Sequence, residues 1–349
     1  MRYRDAGVDI GRSDAIKGAI LREVRSTWTP AVRPLPGGFA GVMAWPGSAA
    51  GEGEPAARAP LLAATLDGVG TKLHLAIAAG RVAEAAADVV YHGANDLLVH
   101  GARPLACLDY VAQSRLDPAV VLEVVRGLAR ACREVGAVLL GGETAEMPDT
   151  YLPGVVDVAG CLIGTTTDAR LLDGRRVRAG DRVLGLASAG LHTNGFSLAR
   201  RVLAESGLGL ADRLPGGQGE TLGESLLAPH RWYGRSLWPE IESGRVRALA
   251  HVTGGGIAGN LARVLPEGCR AILETGWPRP ALFRWLIERG AVPEDDAAAA
   301  LNLGVGMVVV VTPGDGDAVR AALGAAGERV FALGRIDSGE RGVTWLPGS

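Results

Sequence analysis

Short apolar runs alternate along the chain with longer stretches whose apolar residues recur every three or four positions. The runs predict buried strands, and the longer stretches predict helices that bury one face. The strands are predicted over residues 61–66, 104–110, 137–140, 155–166, 183–187, 248–252 and 301–311. The helices are predicted over residues 82–100, 117–135, 196–205, 232–243, from 257 onward and over 316–327.

The helix predicted over 117–135 has the most clearly marked ends. Asp117 is a suitable N-cap, and Pro118 fits the first helical position. Gly136 can adopt the left-handed conformation that commonly ends a helix. Between these ends the apolar residues share one face, as in an amphipathic helix that packs on a core.

The alternation of strands and helices restarts after residues 168–181. This stretch holds the turn-like pairs Asp173-Gly174 and Gly180-Asp181. A chain of 349 residues is also long enough for two domains. The sequence therefore predicts an α/β fold with mixed sheets in two α/β domains, an N-terminal one over 1–169 and a C-terminal one over 170–349.

One charge-free window, residues 297–314, approaches the length of a membrane span. It contains Asn302, two glycines and Pro313, so a buried strand is the better interpretation. The formal net charge of −2 argues against a nucleic-acid binder or a protein of anionic membrane surfaces. The four cysteines include no C-x-x-C pair and are typical of reduced thiols. We expect a cytoplasmic protein with no nucleic-acid and no membrane partner.

Two unusual features of the composition point to a binding site. Glycine makes up 51 of the 349 residues, about twice its usual share, without a regular repeat. Glycines used in this way serve turns and backbone that approaches a ligand closely. The 36 basic residues include only two lysines, Lys17 and Lys72. Of these, Lys72 is the candidate for a functional role, because it belongs to a glycine-containing motif with a nearby aspartate.

The first candidate motif is DGVGTK, residues 67–72, which directly follows a predicted strand. Its glycine amides can approach phosphate oxygens, Lys72 can neutralise their charge, and Asp67 can bind Mg²⁺ through oxygen. The spacing is not that of a Walker A loop. A tight Asx turn with an exposed lysine is the structural alternative.

Two further acidic motifs follow. Asp96 lies on a mostly apolar predicted helix, where a carboxylate must be paired, solvated or bound to a cation. His92, four residues earlier, is a candidate partner, and a zinc site on both is weaker because the sequence suggests no third soft ligand. Residues 141–146 (GGETAE) again place carboxylates after a strand. These carboxylates could converge with Asp67 and Asp96 on a Mg²⁺-nucleotide. A surface turn without a ligand is the structural alternative.

Two loops in the second half precede predicted helices. They are residues 192–195 (HTNG) and 253–256 (TGGG). Backbone amides at a helix N-terminus bind anions such as a phosphomonoester, and His192 could transfer a proton near neutral pH. A helix cap at His192 or Asn194 and a tight turn at the glycines are the structural alternatives.

Taken together, these motifs resemble the AIR synthetases, the family of phosphoribosylformylglycinamidine cyclo-ligases. They run in the family's order over almost the whole chain, and the succession DGVGTK, GGETAEMP and HxTGGG is highly specific. The segments that carry the resemblance are 3–9 (YRDAGVD), 67–72 (DGVGTK), 95–97 (NDL), 108–110 (LDY), 141–148 (GGETAEMP), 192–195 (HTNG), 251–256 (HVTGGG) and 304–307 (GVGM).

The resemblance implies an enzyme of purine biosynthesis that converts formylglycinamidine ribonucleotide and ATP to aminoimidazole ribonucleotide, ADP and phosphate. In this family ATP phosphorylates the formamide oxygen, and an amidine nitrogen then closes the imidazole ring. The resemblance also implies Mg²⁺ and a homodimer in which the N-terminal domains form a barrel across the interface. ATP is then expected in the cleft between the two domains.

The same resemblance implies roles for individual residues. The metal ligands are expected to be Asp67, Asp96 and Glu143. ATP is expected at Gly68, Gly70, Thr71, Lys72, Asn95, Gly141 and Gly142. The ribonucleotide substrate is expected at His192, Thr253, Gly254, Gly255 and Gly256. Catalytic roles fall to Lys72, His192 and Asn194, acting mainly by positioning and charge neutralisation.

Some positions depart from the family pattern. Leu66 and Leu301 replace residues that are usual next to two of the motifs, and Leu21-Arg22 stands where some members carry a lysine associated with ATP. Arg22 or Lys17 could substitute for that lysine. Two alternatives to the cyclo-ligase stay open: a nucleotide-binding regulator without turnover, and a sister kinase such as thiamine-monophosphate kinase.

Overall fold

The computed structural model describes residues 19–35, 37–45 and 59–346. The predicted motif at 3–9 and Lys17 lie outside the described residues. The strands are β1 (Gly41–Ala44), β2 (Pro60–Gly68), β3 (Arg103–Gln113), β4 (Val138–Glu146), β5 (Val156–Thr167), β6 (Arg182–Ala187), β7 (Val246–His251), β8 (Cys269–Leu273), β9 (Val305–Val311), β10 (Val330–Ser338) and β11 (Gly342–Trp345).

The helices are distributed among these strands along the chain. They are α1, which covers residues 19–26 of the described part, α2 (Lys72–Ala78), α3 (Val82–Leu98), α4 (Pro118–Val135), α5 (Phe196–Ser206), α6 (Leu222–Leu226), α7 (Gly234–Glu242), α8 (Gly256–Arg263), α9 (Ala281–Arg289), α10 (Glu294–Ala300) and α11 (Gly316–Ala325). The chain therefore has a mixed α/β fold, as the alternating pattern predicts.

Helix α4 has the ends that its sequence predicts. The Asp117 side chain accepts hydrogen bonds from the N–H groups of Ala119 and Val120, at 2.9 and 3.4 Å. Pro118 is the first helical residue, and Gly136 follows the last with a φ of 79°. The predicted caps and the predicted helix are confirmed.

The first sheet has the strand order β1-β2-β5-β3-β4, in which only β3 and β4 are parallel. Helix α3 packs on β2, β3 and β5, and α4 packs on α3 and β4. Away from these helices, large apolar side chains stay exposed, among them Leu66, Leu105, Leu108 and Leu140. Residues 138–140 belong to β4, so the predicted strand is confirmed, but its predicted burial is wrong: Leu140 is 67% exposed, because β4 is the edge of this sheet.

The second sheet has the strand order β11-β8-β10-β6-β9-β7, with α8 and α11 packed on it. Every residue of β9 is buried. The charge-free window at 297–314 divides between the end of α10 and β9, which confirms the buried-strand interpretation. Among the residues that the structure describes, no helix has both the length and the hydropathy needed to span a membrane.

Helix α3 joins the two halves of the chain. It packs on the first sheet and also touches α7 and β7 of the second half. Its polar residues Asp88, His92, Asn95 and Asp96 share one helical face, because they recur at intervals of four, three and one residues. All four are buried, so each needs a polar partner. Residues of the second half supply these partners.

A second connection between the halves runs through residues 37–39. The Phe39 N–H donates to His100 Nε2 at 2.8 Å in the first half. Arg263, at the end of α8, donates to the carbonyl oxygens of Gly37 and Gly38 at 2.6 and 2.8 Å. Its guanidinium also lies 3.7 Å from the centroid of the Phe39 ring. This segment therefore holds α8 against the first half.

At Gly127 the helix α4 approaches α3 closely. A Cβ added there would lie 2.0 Å from the carbonyl oxygen of Ala83, so the two helices would have to separate. We expect the substitution Gly127→Ala to lower the free energy of unfolding by about 1–3 kcal/mol, measured by denaturant titration.

Gly324→Ala in α11 is the matched control, since a Cβ at that helical glycine meets nothing within 4 Å. Alanine favours a helix over glycine by about 1 kcal/mol, so this variant should be as stable as the parent or more stable. Equal destabilisation by both substitutions would contradict the close α3–α4 contact.

Candidate functional site at the junction of the two halves

Four of the six histidines meet in one buried cluster between the two halves. His92 lies on α3 and His251 ends β7, whereas His192 and His230 lie in loops that precede α5 and α7. All four are at most 4% exposed. The rings of His192 and His230 are stacked with their centroids 4.0 Å apart. These four residues are called the histidine cluster below.

Two of the predicted metal ligands meet at this cluster. His92 Nε2 lies 2.9 Å from Asp67 Oδ2 and 3.6 Å from Asp96 Oδ2. Asp67 reaches this point because β2 continues through it, and its other oxygen accepts a hydrogen bond from the Gly68 N–H at 2.8 Å. The structure therefore brings Asp67 and Asp96 together, with His92 between them.

The position between these carboxylates stabilises a positive charge. Burial by itself lowers the pKa of His92, but the charge of Asp96 and the hydrogen bond to Asp67 outweigh it and raise the pKa to about 9. Burial likewise opposes the ionisation of Asp67, yet the His92 contact holds the pKa of Asp67 below its usual value. Near pH 7 an imidazolium therefore lies between two carboxylates.

The other members of the histidine cluster are neutral. Burial lowers the pKa of His251, although Asp96 opposes this shift. Burial also lowers the pKa of His192 and of His230 well below the ordinary value. His251 Nδ1 lies 2.8 Å from Asp96 Oδ1, and His251 Nε2 lies 3.2 Å from His230 Nε2. A chain of close polar contacts thus runs from Asp96 into the second half.

Lys72 is buried beneath the site rather than exposed beside it. Its ammonium contacts the Asp88 carboxylate and donates to the carbonyl oxygens of His192 at 3.2 Å and Ala228 at 3.0 Å. These contacts use all three of its N–H donors. Asp88 also accepts a hydrogen bond from the His230 N–H at 2.8 Å. The pair therefore fixes two loops of the histidine cluster.

Within the DGVGTK motif, Gly68 ends β2 and Gly70 lies in the turn between β2 and α2. Gly70 has a φ of 68°, and a Cβ there would meet nothing within 4 Å, so its backbone is open. Beside it lies a cavity of about 210 Å³, whose lining includes Thr71, Tyr151 and Asp157. Backbone amides next to open space suit the approach of a phosphate.

The HTNG and TGGG loops lie next to each other. A Cβ on Gly254 would be 3.6 Å from Asn194 Oδ1. Asn260 of α8 supports the second loop by donating to the carbonyl oxygens of Thr253, Gly254 and Gly256 at 3.3, 3.3 and 2.8 Å. Gly256 is required sterically, because a Cβ would lie 1.8 Å from the carbonyl oxygen of Ala298. The loop therefore presents backbone at the N-terminus of α8.

Asn95 connects the two halves through both ends of its amide. It donates to the carbonyl oxygen of Arg231 at 2.8 Å and accepts from the Tyr233 N–H at 3.2 Å. These bonds hold the loop that carries His230, the cluster member just before Arg231, against α3. In this conformation the Asn95 side chain therefore acts between protein segments.

The GGETAE segment lies inside β4, not after it, and away from the cluster. Asp67 aligns across β5 and β3 with Gly142, which places β4 about 14 Å away at the usual strand spacing. Glu143 is one position further along, so its side chain points to the opposite face of the sheet. The structure does not bring Glu143 or the exposed Gly141 and Gly142 to Asp67 within one chain.

Two family profiles match the chain. The N-terminal domain of AIR synthase related proteins matches residues 53–166, and the C-terminal domain of these proteins matches residues 178–346. Together the two matches span most of the chain. The chain belongs to the AIR synthase family.

Curated relatives specify the activity of this AIR synthase family member. It is 46% identical to the phosphoribosylformylglycinamidine cyclo-ligase of Sorangium cellulosum, over 96% of this chain and 95% of that protein. It is 44% identical to the cyclo-ligase of Anaeromyxobacter dehalogenans (strain 2CP-C), over 98% of this chain and 97% of that protein. The chain is therefore a ligase of purine biosynthesis with cyclo-ligase activity.

Solved structures share the AIR synthase fold at lower identity. A crystal structure of the protein tt0281 from Thermus thermophilus superposes with a TM-score of 0.63 and 24% identity, covering 95% of this chain and 98% of that chain. Thiamine-monophosphate kinase from Stenotrophomonas maltophilia K279a gives a TM-score of 0.60 at 18% identity, covering 96% of each. Sequence identities this low show only that these proteins share the fold of this chain.

Three residues of this AIR synthase family site were not among the predicted ones: Asp88, His230 and His251. Asp88 is detectable in principle, since it lies four residues before His92 on the polar face of α3. The two histidines belong to no common motif for a metal or a base. His251 does begin the HVTGGG motif that carries the family resemblance, although no role was assigned to it, whereas the only sequence signal of His230 is scarcity, because the chain has six histidines in all.

The buried pair of Lys72 and Asp88 generates a prediction about stability. Asp88→Ala leaves an ammonium buried without its counter-charge, so we expect the free energy of unfolding to fall by about 3–5 kcal/mol in denaturant titration. The double variant Lys72→Met with Asp88→Leu removes both charges and should recover most of that loss.

The matched control is the exposed pair of Arg182 and Asp317, whose side chains are 45% and 86% exposed. Asp317→Ala should cost at most about 1 kcal/mol, because solvent screens that pair. A loss of similar size in Asp88→Ala and Asp317→Ala would show that the Lys72 ammonium is solvated in the folded protein.

Proposed function

We propose that this AIR synthase family member closes the imidazole ring of aminoimidazole ribonucleotide, from formylglycinamidine ribonucleotide and ATP, with release of ADP and phosphate. The observation that carries the proposal is the meeting of Asp67 and Asp96 with the histidine cluster where the two halves join. It occurs in a chain that is 46% identical to a named cyclo-ligase. Release of ADP that depends on formylglycinamidine ribonucleotide tests the proposal.

ATP is proposed to bind between the two halves, with its phosphates at the open backbone of the DGVGTK turn. The cavity beside Gly70 and Thr71 is lined by first-half residues, and it supports the position of the phosphates at this turn. The lysine of the turn is buried, so in this conformation phosphate contacts would come from the amides of Gly70 and Thr71. The amide of Gly68, also predicted to contact ATP, donates to Asp67 here. Lys72 would then contribute by holding the His192 loop in place.

Mg²⁺ is proposed to bind at Asp67 and Asp96. The fit rests on two observations: oxygens of both carboxylates lie within 3.6 Å of the same His92 nitrogen, and the Asp67 side chain is 42% exposed. Oxygen donors of this kind, together with phosphate and water, are what Mg²⁺ prefers. When bound, Mg²⁺ neutralises the charge of the transferred phosphate. The proposed third ligand, Glu143, does not reach Asp67 and Asp96 of its own chain in this conformation, because its side chain lies on the opposite face of the first sheet.

The ribonucleotide is proposed to bind at the second-half loops. The backbone of Thr253–Gly256 lies at the N-terminus of helix α8, a position that suits the phosphate of the ribonucleotide. Asn194, which lies beside Gly254, would orient the formamide group. Phosphorylation of the formamide oxygen turns it into a phosphate leaving group, and the amidine nitrogen attacks the same carbon. A neutral His192 could accept the proton that this nitrogen loses.

The working enzyme is proposed to be a cytoplasmic homodimer that pairs the first sheets of two chains. The supporting observation is the apolar side of that sheet: Leu66 and Leu140 are 71% and 67% exposed in the single chain. Exposed apolar surface of this kind marks protein–protein contacts. A barrel formed from two such sheets would cover it.

Replacement of Asp67 by Asn should remove most turnover while the fold persists, because a neutral amide binds Mg²⁺ poorly. We expect a loss of at least about 100-fold in kcat. The measurement is ADP release with and without formylglycinamidine ribonucleotide, with aminoimidazole ribonucleotide trapped as its coloured diazo derivative.

Asp317→Asn, on the exposed side of α11, is the control and should retain parental turnover. Substrate-dependent ADP with matching aminoimidazole ribonucleotide supports the proposed reaction. ADP formed without matching aminoimidazole ribonucleotide would overturn the proposal in favour of a sister kinase. ATP binding without turnover would overturn it in favour of a regulator. Unchanged activity of Asp67→Asn would refute the metal assignment.

The dimer is tested by placing a charge on the apolar side of the sheet. We expect Leu140→Glu to shift the protein from dimer to monomer in size-exclusion chromatography with light scattering, because the carboxylate would be buried without a partner. Leu122→Glu is the control: Leu122 is 48% exposed on α4, the helix that covers the other side. A parent protein that elutes as a monomer would contradict the dimer.

A further inference from the structure

We propose that His192, His230 and His251 form a binding site for a divalent transition-metal ion of the Zn²⁺ class, separate from the Mg²⁺ site. One ring nitrogen of each residue lies within 4.8 Å of those of the other two, and all three residues are buried. The inference rests on this geometry and does not depend on the proposed function. With an ion bound, His192 would act as a ligand and not as the proton acceptor proposed above, because its ring has a single lone pair. Asp96 takes part as the residue that orients His251.

The spacing of two nitrogens already suits a metal ion. His230 Nε2 and His251 Nε2 are 3.2 Å apart. Nitrogen ligands of tetrahedral zinc lie about 2.0–2.1 Å from the ion, which places neighbouring ligands about 3.3 Å from each other. The two imidazoles therefore need little movement to share one ion.

Hydrogen bonds at the other ring nitrogens direct two lone pairs at each other. His251 Nδ1 lies 2.8 Å from the Asp96 carboxylate, and His230 Nδ1 lies 3.2 Å from the carbonyl oxygen of Arg231. Both partners only accept, so each Nδ1 carries the proton and each Nε2 carries a lone pair. Two facing lone pairs repel unless a cation lies between them.

The contact of Asp96 with His251 is also the usual support for a histidine ligand. A carboxylate that accepts from one ring nitrogen fixes the tautomer and makes the other nitrogen a better donor to a metal. Asp96 belongs to α3 of the first half, whereas all three proposed ligands belong to the second half. A bound ion would therefore strengthen the contact between the halves.

His192 supplies the third donor. Its Nε2 accepts one hydrogen bond, from the Ala189 N–H at 3.2 Å, and within the described residues its Nδ1 has no hydrogen-bond partner although the side chain is 1% exposed. A buried polar atom without a partner is costly. Because Nε2 accepts a hydrogen bond, the proton of the neutral ring lies on Nδ1. The lone pair that would bind an ion beside the stacked His230 ring is therefore that of Nε2, which would exchange its hydrogen bond from Ala189 for the ion.

Three imidazole nitrogens select the class of ion. Imidazole suits Zn²⁺, Co²⁺ and Ni²⁺, whereas Mg²⁺ requires oxygen ligands in an octahedron. Three protein ligands leave one tetrahedral position open, which water can fill. His230 also lines an open cavity of about 580 Å³, together with Arg81, Tyr91 and Trp232, so one side of the site lies close to solvent.

The site is tested with Co²⁺ and the full chain without a histidine tag, after treatment with a chelator and dialysis. We expect about one equivalent of Co²⁺ to bind per chain and to show the intense visible absorption of a tetrahedral complex, and Zn²⁺ to displace it. A large excess of Mg²⁺ should leave the spectrum unchanged. Binding to the unmodified chain requires no variant to fold and no turnover, so it is independent of the cyclo-ligase assay.

Variants then assign the ligands. His230→Asn and His251→Ala should abolish the tetrahedral spectrum, and Asp96→Asn should weaken Co²⁺ binding by about 10–100-fold. His74→Ala, at the exposed histidine of α2, should bind Co²⁺ as the parent does. Absence of the spectrum in the parent, its removal by Mg²⁺, or parental binding by folded His230→Asn would overturn the proposal.

Discussion

The buried contact between Lys72 and Asp88 sets the arrangement of the whole junction. Placing an ammonium in the interior is costly unless a carboxylate and further acceptors surround it. Asp88 and the carbonyl oxygens of His192 and Ala228 meet this need. Because two of these acceptors belong to second-half loops, solvating the charge within the protein requires the halves to adopt one relative position. The loops that carry His192 and His230 are fixed as a result.

Helix α3 extends this constraint along its length. Its polar face satisfies each buried group with a partner from the second half, while its other faces pack on the first sheet and α4. The same helix therefore provides both the core of one half and the wall of the site. Because α3 serves both purposes, Asp96 can contact His92, the partner of Asp67, and His251 at the same time. The helix also places the loops of the proposed site on a rigid support, which favours catalysis by positioning.

Much of the fold could be predicted from local pattern. The caps of α4, the bounds of β5 and β6 within one residue, and the burial of β9 follow from residues close in sequence. Strands β8, β10 and β11 were not predicted, because their runs are short or mixed and their pairing partners are distant along the chain. The exposure of β4 was missed for a related reason: an edge strand and a central strand can have the same apolar residues.

The sequence by itself determined the family, the reaction and the order of the chemical motifs, because these depend on residue identity at fixed short spacings. Only the tertiary structure decided which motifs meet. It joined Asp67 to Asp96, supplied His251 and His230 from segments more than 130 residues away from α3, and separated Glu143 by strand order and side-chain alternation. The physical reason is that packing and the need to satisfy buried charges set the contacts between distant segments. Neither can be deduced from the spacing of residues that are close in sequence.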